Sequence, residues 1–335
     1  MTGDSRTIAV GDVGGTHARF ALATLTPDAL PRIGTIRKYR TADHDGLAAA
    51  WSAFVAESGT ERADAAAIAV AAPIEGDVLC FMNSDWTVDR RTIRAAMGLE
   101  QLLLLNDFGA VAHAVSALPT GSFEPLAGAA RELPDEGIIT VAGPGTGLGV
   151  SIIVRRAGRN EIVECEGSHI GFAPRTARER RIEQAIAERY GRCSVERIAS
   201  GPGLADVHAA LGGDAMDASA LWDAALEGTD ALAEEALDIL TGALGAAMGD
   251  LSLAHGSSAV VLSGALANRM RDRLASPLFR QPFLAKGRYR ERMERVSVLL
   301  LTEPEPGLTG AAVAFQRGSS QPVTDRRGTG ANEVT

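Results

Sequence analysis

Apolar and polar positions along the 335-residue chain follow two periods, and glycines and acids gather where one period gives way to the other. Residues 7–23 carry an apolar strand into Asp12, a turn at Gly14-Gly15-Thr16, and a second strand with Phe20 and Leu22 on one face. That is the pattern of a β-hairpin. A helix is expected over 45–57, with Leu47, Trp51, Phe54 and Val55 available to one face, and an apolar strand over 65–72, stopped by Pro73. Residues Asn83-Ser84-Asp85-Trp86 form a turn rich in side-chain hydrogen bonders. The four leucines of 102–105 then read as a short strand buried on both faces, as in the middle of a parallel sheet. Asn106 and Asp107 come directly after it, and Val111 and Val115 beyond them share one helical face.

The second half repeats this beginning. Residues 137–154 read as a strand, the turn Gly143-Pro144-Gly145-Thr146-Gly147-Leu148-Gly149, and a returning strand. Superposing Gly15-Thr16 on Gly145-Thr146 suggests a duplicated hairpin and two like halves around a cleft. A third strand, 259–262, runs into Ser263-Gly264-Ala265 and a helical stretch. Thr176 with Glu179 forms a capping box for a helix over 176–190, striped by Ile182, Ile186 and Tyr190 and stopped by Gly191. A longer helix over 229–254 contains Gly242, Gly245 and Gly249, which suggests that another backbone packs closely there. A last strand over 296–301 and a short helix over 307–315 precede a Gly/Ser/Arg-rich end that reads as disordered. Alternating strands and helices make the chain α/β.

Composition narrows the function. With 46% hydrophobic and 22% charged residues the chain is ordinary for a globular protein, and its length suits two domains. A formal charge of -9 argues against nucleic acid or an anionic membrane as the main partner. The polar start has no apolar core, so it reads as neither signal nor transit peptide, and apolar runs are expected to stay below spanning length. Cys80, Cys165 and Cys193 have no C-x-x-C spacing, which favours reduced thiols and a cytoplasmic protein.

The candidate chemistry lies at the strand ends. Asp107 sits where a strand meets a helix, the place where open α/β sheets bind ligands, and the helix dipole is expected to hold it ionised. Asn-Asp before a helix suits capping equally well. The 143–149 glycines fail the dinucleotide frame, because Leu148 stands where G-x-G-x-x-G needs glycine and the loop enters a strand. There is no P-loop motif either. Two bare-backbone turns with a hydroxyl instead suit anion nests facing one polyphosphate, although each alone could be a tight hairpin. Asp12 beside the first nest makes sense with Mg2+ between carboxylate and phosphate, or as a turn-stabilising residue. Glu166 and His169, in a glycine-bounded loop that also holds Glu164, offer the acceptors and donor that adjacent sugar hydroxyls need; zinc and a solvated acidic loop are the competing readings.

Five motifs taken in order resemble the bacterial glucokinase family of the hexokinase/actin-like ATPase superfamily. They are Gly11-Asp12-Val13-Gly14-Gly15-Thr16 with Arg19, Leu105-Asn106-Asp107-Phe108, 143–149, Glu166-Gly167-x-His169, and Glu196-Arg197-Ile198-x-Ser200-Gly201-Pro202-Gly203-Leu204. The resemblance runs from about residue 8 to residue 315. It implies a two-lobed actin-like ATPase (ribonuclease H-like) fold with a duplicated domain and an inter-lobe cleft. It divides the chain into a small lobe (6–116 plus 303–317), a large lobe (117–302) with a dimer interface, and a tail (318–335). It implies Asp107 as general base and Asn106, Asp107, Glu166, His169 and Glu196 as sugar-binding residues. ATP phosphates would lie on Gly11, Asp12, Val13, Gly14, Gly15 and Thr16 and on Gly143, Gly145, Thr146 and Gly147, with adenosine at Ser263-Gly264 and Mg2+ near Asp12. The expected activity is ATP-dependent phosphorylation of glucose at its 6-hydroxyl by a cytoplasmic homodimer. Another hexose, or a sugar sensor without catalysis, is the alternative. The repressor-like branch of these sugar kinases carries a cysteine-rich zinc motif that three scattered cysteines cannot supply.

Overall fold

The computed structural model describes residues 5–58, 63–81, 84–128 and 132–319. The first sheet contains β1 (Arg6–Val13), β2 (His17–Leu25), β3 (Arg32–Ile33), β4 (Arg37–Arg40), β5 (Ala65–Val70) and, after a small ribbon of β6 (Val78–Cys80) and β7 (Thr87–Asp89), β8 (Gln101–Asn106). Its order is β3-β2-β1-β5-β8, with β4 also on β2. The second sheet uses β9 (Phe123–Ala127), β10 (Gly137–Pro144), β11 (Leu148–Arg156), β12 (Arg159–Cys165), β13 (Ala259–Leu262) and β14 (Ser297–Leu301), in the order β12-β11-β10-β13-β14-β9. Both expected hairpins form. β1 pairs antiparallel with β2, Val13 opposite Ala18, and β10 with β11, Pro144 opposite Leu148. Each hairpin's first strand pairs on its other side with a parallel strand, β5 or β13. Parallel strands of this kind need covered faces, and helices cover them.

One expectation is corrected. The leucine strand β8 is an edge strand next to β5, not a central one. Only Leu105 of the four is buried; Leu102 and Leu104 pack against one core and Leu103 against the other. Leucines on both sides of a strand report covered faces, which an edge strand can have as well as a central one.

The helix Leu47–Ser58 packs Trp51 and Phe54 against Phe20 beside the first sheet. The helix Ala177–Tyr190 has both halves of the Thr176/Glu179 capping box, and Gly191 ends it in the left-handed region (φ 81°). The long helix Ala231–His255 is capped by Asp230. It is long and apolar enough to cross a membrane by length and composition, which corrects the expectation from the apolar runs, but 78% of its apolar window is buried in the core. Two of its three glycines meet another backbone as expected: a Cβ at Gly249 would meet the carbonyl of Phe283 at 2.5 Å, and one at Gly245 the carbonyl of Phe279, both in the crossing helix Pro277–Leu284; at Gly242 the neighbour is instead the Arg175 side chain.

Two further helices bring the two sheets together. Asp107–Val115 leaves the end of β8 and packs along Pro306–Ser319, which reaches beyond the expected 315. Leu308, Ala311, Ala312 and Phe315 of that last helix enter the core with Ile8, Val10, Ala21 and Leu105 of the first sheet. Val111, Ala112 and Val115 of the other helix face the second sheet at Ile139, Val141 and Ile153. Asn83 and most of the expected tail lie outside the described residues; Trp86 is held by its indole N–H to the His44 carbonyl (3.1 Å).

The two helices approach so closely that a Cβ at Gly310 would strike the carbonyl of Ala110. Gly310→Ala is therefore expected to cost about 1–3 kcal/mol, the usual effect of overpacking, despite alanine's better helix propensity. Urea unfolding measures it; an unchanged or raised midpoint would contradict the packing described.

Candidate active site

β8 and the helix Asp107–Val115 settle the capping question between two neighbouring side chains. Asn106 is the N-cap: its Oδ1 accepts from the N–H groups of Phe108 (2.9 Å) and Gly109 (3.1 Å), and its Nδ2 donates to the Ala72 carbonyl (3.3 Å). Both acceptor sites of the amide are used, leaving one donor for a ligand. Asp107, released from capping, accepts from the Phe108 N–H through Oδ1 (2.8 Å) and also takes a hydrogen bond from its own backbone N–H.

Asp107 is not held ionised as the helix dipole alone would have it. Desolvation, then the charge of Asp12, with a smaller contribution from Glu166, push its pKa up to about 7 against the lowering effect of the Phe108 N–H. Asp12, at the end of β1, is raised too, by burial and by Glu305, while Arg19 works in the other direction. Arg19 lies 3.3 Å from Asp12 and 3.5 Å from Glu305.

Asp12, Arg19, Asp107, Phe108, Gly143, Gly145, Thr146, Ser263, Gly264, Glu305 and Gly307 line one cleft of about 930 Å³. At the first turn Gly14 N–H bonds to the His17 carbonyl (2.9 Å), and at the second Gly145 N–H bonds to the Gly147 carbonyl (2.7 Å). The N–H groups of Gly15, Thr16, Thr146 and Gly147 have no partner among the described residues, as anion nests require. Gly11 and Val13 contribute differently from the expected nest: Val13 is in the core, and a Cβ at Gly11 would press on Phe20 and Ile68. Gly264 adopts φ 102°, a conformation suited to glycine, where the chain leaves β13. The buried hydroxyl of Ser263 beside it has no partner among the described residues.

Glu166, His169 and Glu196 form a cluster of their own. His169 Nε2 stands 3.8 Å from Glu166 Oε2 and 3.8 Å from Glu196 Oε1, and Glu196 Oε2 accepts the Leu148 N–H (2.9 Å). None of the three lines the 930 Å³ cleft, nor does Asn106; of the expected phosphate turns, Gly143, Gly145 and Thr146 line it, whereas Gly14, Gly15, Thr16 and Gly147 do not. The cluster joins it electrically, through the effect of Glu166 on Asp107.

Three features of the site are not foreshadowed by the motifs. Glu164, expected in a loop but placed near the end of β12 opposite Ser151, accepts the Asn106 N–H through Oε1 (3.1 Å) and occupies the space that a Cβ at Gly109 would need. The Phe108 ring fills a slot whose floor is Gly149, where any Cβ would overlap it, and the Phe108 carbonyl accepts from Ser151 Oγ (2.9 Å). At the far end, Tyr190, Ala205, Leu221 and Trp222 make an apolar slot flanked by Arg189 and Arg269. Gly109 and Gly149 were the available signals for the first two; the slot comes from helices distant in sequence.

No group of three or more His, Cys, Asp or Glu able to hold a metal ion is found among the described residues. The acids nevertheless suit a cation brought with phosphate: Asp12, Asp107 and Glu305 share the cleft with Arg19, and magnesium needs only one or two carboxylates beside phosphate oxygens and water.

A family model described as Glucokinase matches residues 9–318. The chain is 42% identical to a glucokinase of Zymomonas mobilis over 316 residues, 92% of this chain and 98% of that protein. A crystal structure of glucokinase from an Antarctic psychrotroph is 29% identical and superposes with a TM-score of 0.79, covering 93% of this chain and 99% of that one. A ROK family glucokinase from Streptomyces griseus, in complex with glucose and AMPPNP, shares the fold at TM-score 0.60 and 22% identity, over 93% of this chain and 99% of that one.

The Asp107 environment makes a prediction independent of turnover. A carboxyl whose folded pKa is raised from 3.8 to about 7 favours the folded state when protonated, so its contribution falls as pH rises between those values and is flat above them. Asp107→Asn should therefore raise the thermal midpoint relative to the parent, more at pH 8 than at pH 5. Equal differences at both values would contradict the raised pKa.

Proposed function

This chain belongs to the glucokinase family, and from that premise we propose that it transfers the γ-phosphoryl group of ATP to the 6-hydroxyl of glucose. The observation that carries the reading is Asp107: a carboxyl tuned near neutrality, in the cleft lined by Asp12 and by the second glycine turn at 143–146, and coupled to Glu166 of the polar cluster. A general base works best when its pKa is near the operating pH.

Glu166, His169 and Glu196, with the remaining donor of Asn106, orient the sugar ring so that its primary hydroxyl meets the Asp107 carboxylate. As the hydroxyl oxygen bonds to the γ-phosphorus, its proton passes to Asp107 and the bond to the β-phosphate oxygen breaks, leaving ADP and the 6-phosphate. The open N–H of Thr146, on the cleft lining, holds the phosphates with those of Gly15, Thr16 and Gly147 at its margin, and Ser263-Gly264 with the Trp222 slot takes the nucleoside. Magnesium, held by Asp12 with phosphate oxygens, would neutralise charge on the triphosphate. Phosphoryl transfer rests mainly on positioning and charge stabilisation, so these parts suffice.

The two hairpin-and-parallel-strand units support a duplicated, ribonuclease H-like pair of domains: a small lobe of 6–116 with 303–317 and a large lobe of 117–302, closing on the cleft. The helix Pro306–Ser319 in the first sheet's core supports assigning it to the small lobe. A homodimer, and a cytoplasmic location in keeping with the three free cysteines, complete the proposal. A kinase of mannose, fructose or glucosamine is the nearer alternative, since it would use the same base; a sensor would not need one.

Coupled ADP release with Mg2+ and ATP, run with glucose, mannose, fructose, glucosamine, N-acetylglucosamine and no sugar, tests the reading. Glucose is expected to stimulate turnover most, and Asp107→Ala to lower kcat by roughly two to four orders of magnitude with unchanged circular dichroism. Stimulation by no sugar, or near-parental turnover in the variant, would overturn it.

A further inference from the structure

A second cavity, of about 1130 Å³, lies at the other end of the same two helices that frame the cleft. Asp107, Phe108, Pro306 and Gly307 face the cleft, whereas His113, Ala117, Gln316 and Arg317 line this second space. Its other walls are the 27–31 loop of the first sheet and the β11–β12 turn, Gly158 to Glu161, of the second. The cavity therefore spans elements packed in both cores.

Its lining carries two arginines, Arg159 and Arg317, and two acids, Asp28 and Glu161, with Arg155 just behind Arg317. Arg317 donates through Nη1 to Ser116 Oγ (2.6 Å) and through Nη2 to the Ser116 carbonyl (3.5 Å). Arg155 donates to that same carbonyl (3.4 Å), to the Pro134 carbonyl (3.0 Å) and to Asn160 Oδ1 (3.0 Å). Two guanidiniums thus converge on one neutral residue at the end of the helix Asp107–Val115. Burial lowers the pKa of both, and Arg155 lowers that of Arg317 further. The nearby acids are Asp28 and Glu161 on the lining and Asp135 beside Arg155, and no ion pair links them to these arginines among the described residues. Arg159, on the lining, has an exposed side chain without a partner among the described residues. His113 Nδ1 is buried without a partner there as well. Burial holds that imidazole neutral, its pKa lowered to about 4, so it can donate one hydrogen bond without adding charge.

We propose that this cavity is a binding site for a small multivalent anion, a phosphate ester or a di- or tricarboxylate, gripped by Arg317 and Arg159 with His113 as hydrogen-bond donor. Guanidinium groups recognise both oxyanion types through charge-assisted, often paired, hydrogen bonds. The space exceeds what a bare phosphate fills, so an organic body fits beside the anionic group. An occupant would bridge elements of both cores and stabilise the folded chain by mass action.

The test is the thermal midpoint of the full chain in sodium phosphate or sodium malonate against sodium chloride at matched ionic strength, with apparent affinities from the concentration dependence. Phosphate or malonate is expected to raise the midpoint above chloride, and Arg317→Gln to weaken the apparent affinity about tenfold, the loss of one charge-assisted contact. Arg159→Gln, at an exposed position where folding is not at risk, should weaken it in the same direction. A rise with phosphate alone identifies a phosphate ester, and a rise with malonate alone a carboxylate. No rise above chloride with either, or an undiminished rise in Arg159→Gln, would overturn the proposal.

Discussion

A carboxyl kept largely from water beside other carboxyls is the constraint on which this structure depends. Raising Asp107 from 3.8 to about 7 corresponds to about 2–4 kcal/mol against the ionised folded state, the lower end allowing for partial contact with water. Whole domains are stable by only about 5–15 kcal/mol, so this is a substantial cost for one side chain. It persists because the backbone around Asp107 is fixed elsewhere. Asn106 caps the helix, Glu164 holds the Asn106 N–H, the Phe108 ring is seated over Gly149, and the helix is pressed against Pro306–Ser319 at Gly310.

The same restraints link the fold to the chemistry. The helix Asp107–Val115 packs one face on the second sheet's core and another on the C-terminal helix, whose own residues fill the first sheet's core. Its first turn therefore holds the proposed base where the two halves meet. Small residues at Gly109, Gly149, Gly307 and Gly310 allow this crowding, and each is filled on its open side by a functional or supporting group: Glu164, Phe108, Asp12 or the Ala110 carbonyl. Sequence sets which neighbours can approach, and approach sets the pKa.

Much of this was legible in the residues themselves. The hairpin at Gly14-Gly15-Thr16, its counterpart at 143–149, the Thr176/Glu179 capping box and the close approach at Gly245 and Gly249 follow from local chemistry, and all appear as expected. The family was legible through five motifs in order. What was not legible depended on distant partners. Four leucines cannot say whether a strand is central or at an edge, because both faces of β8 are covered either way. A helix dipole is local and argued for an ionised Asp107, whereas Asp12, far away in sequence, helps decide the opposite. For the same reason the Glu164 contact and the Tyr190–Trp222 slot, built across separate elements, emerged only with the fold.

The central claim, that Asp107 receives the proton of a sugar hydroxyl aligned with ATP, is tested most directly by a crystal structure of the full chain with glucose, Mg2+ and AMPPNP. The account predicts the glucose 6-hydroxyl within hydrogen-bond distance of the Asp107 carboxyl and in line with the γ-phosphorus, with Glu166, His169 and Glu196 on the ring hydroxyls. A sugar bound with that hydroxyl turned away from Asp107, or triphosphate lying off both glycine turns, would contradict it.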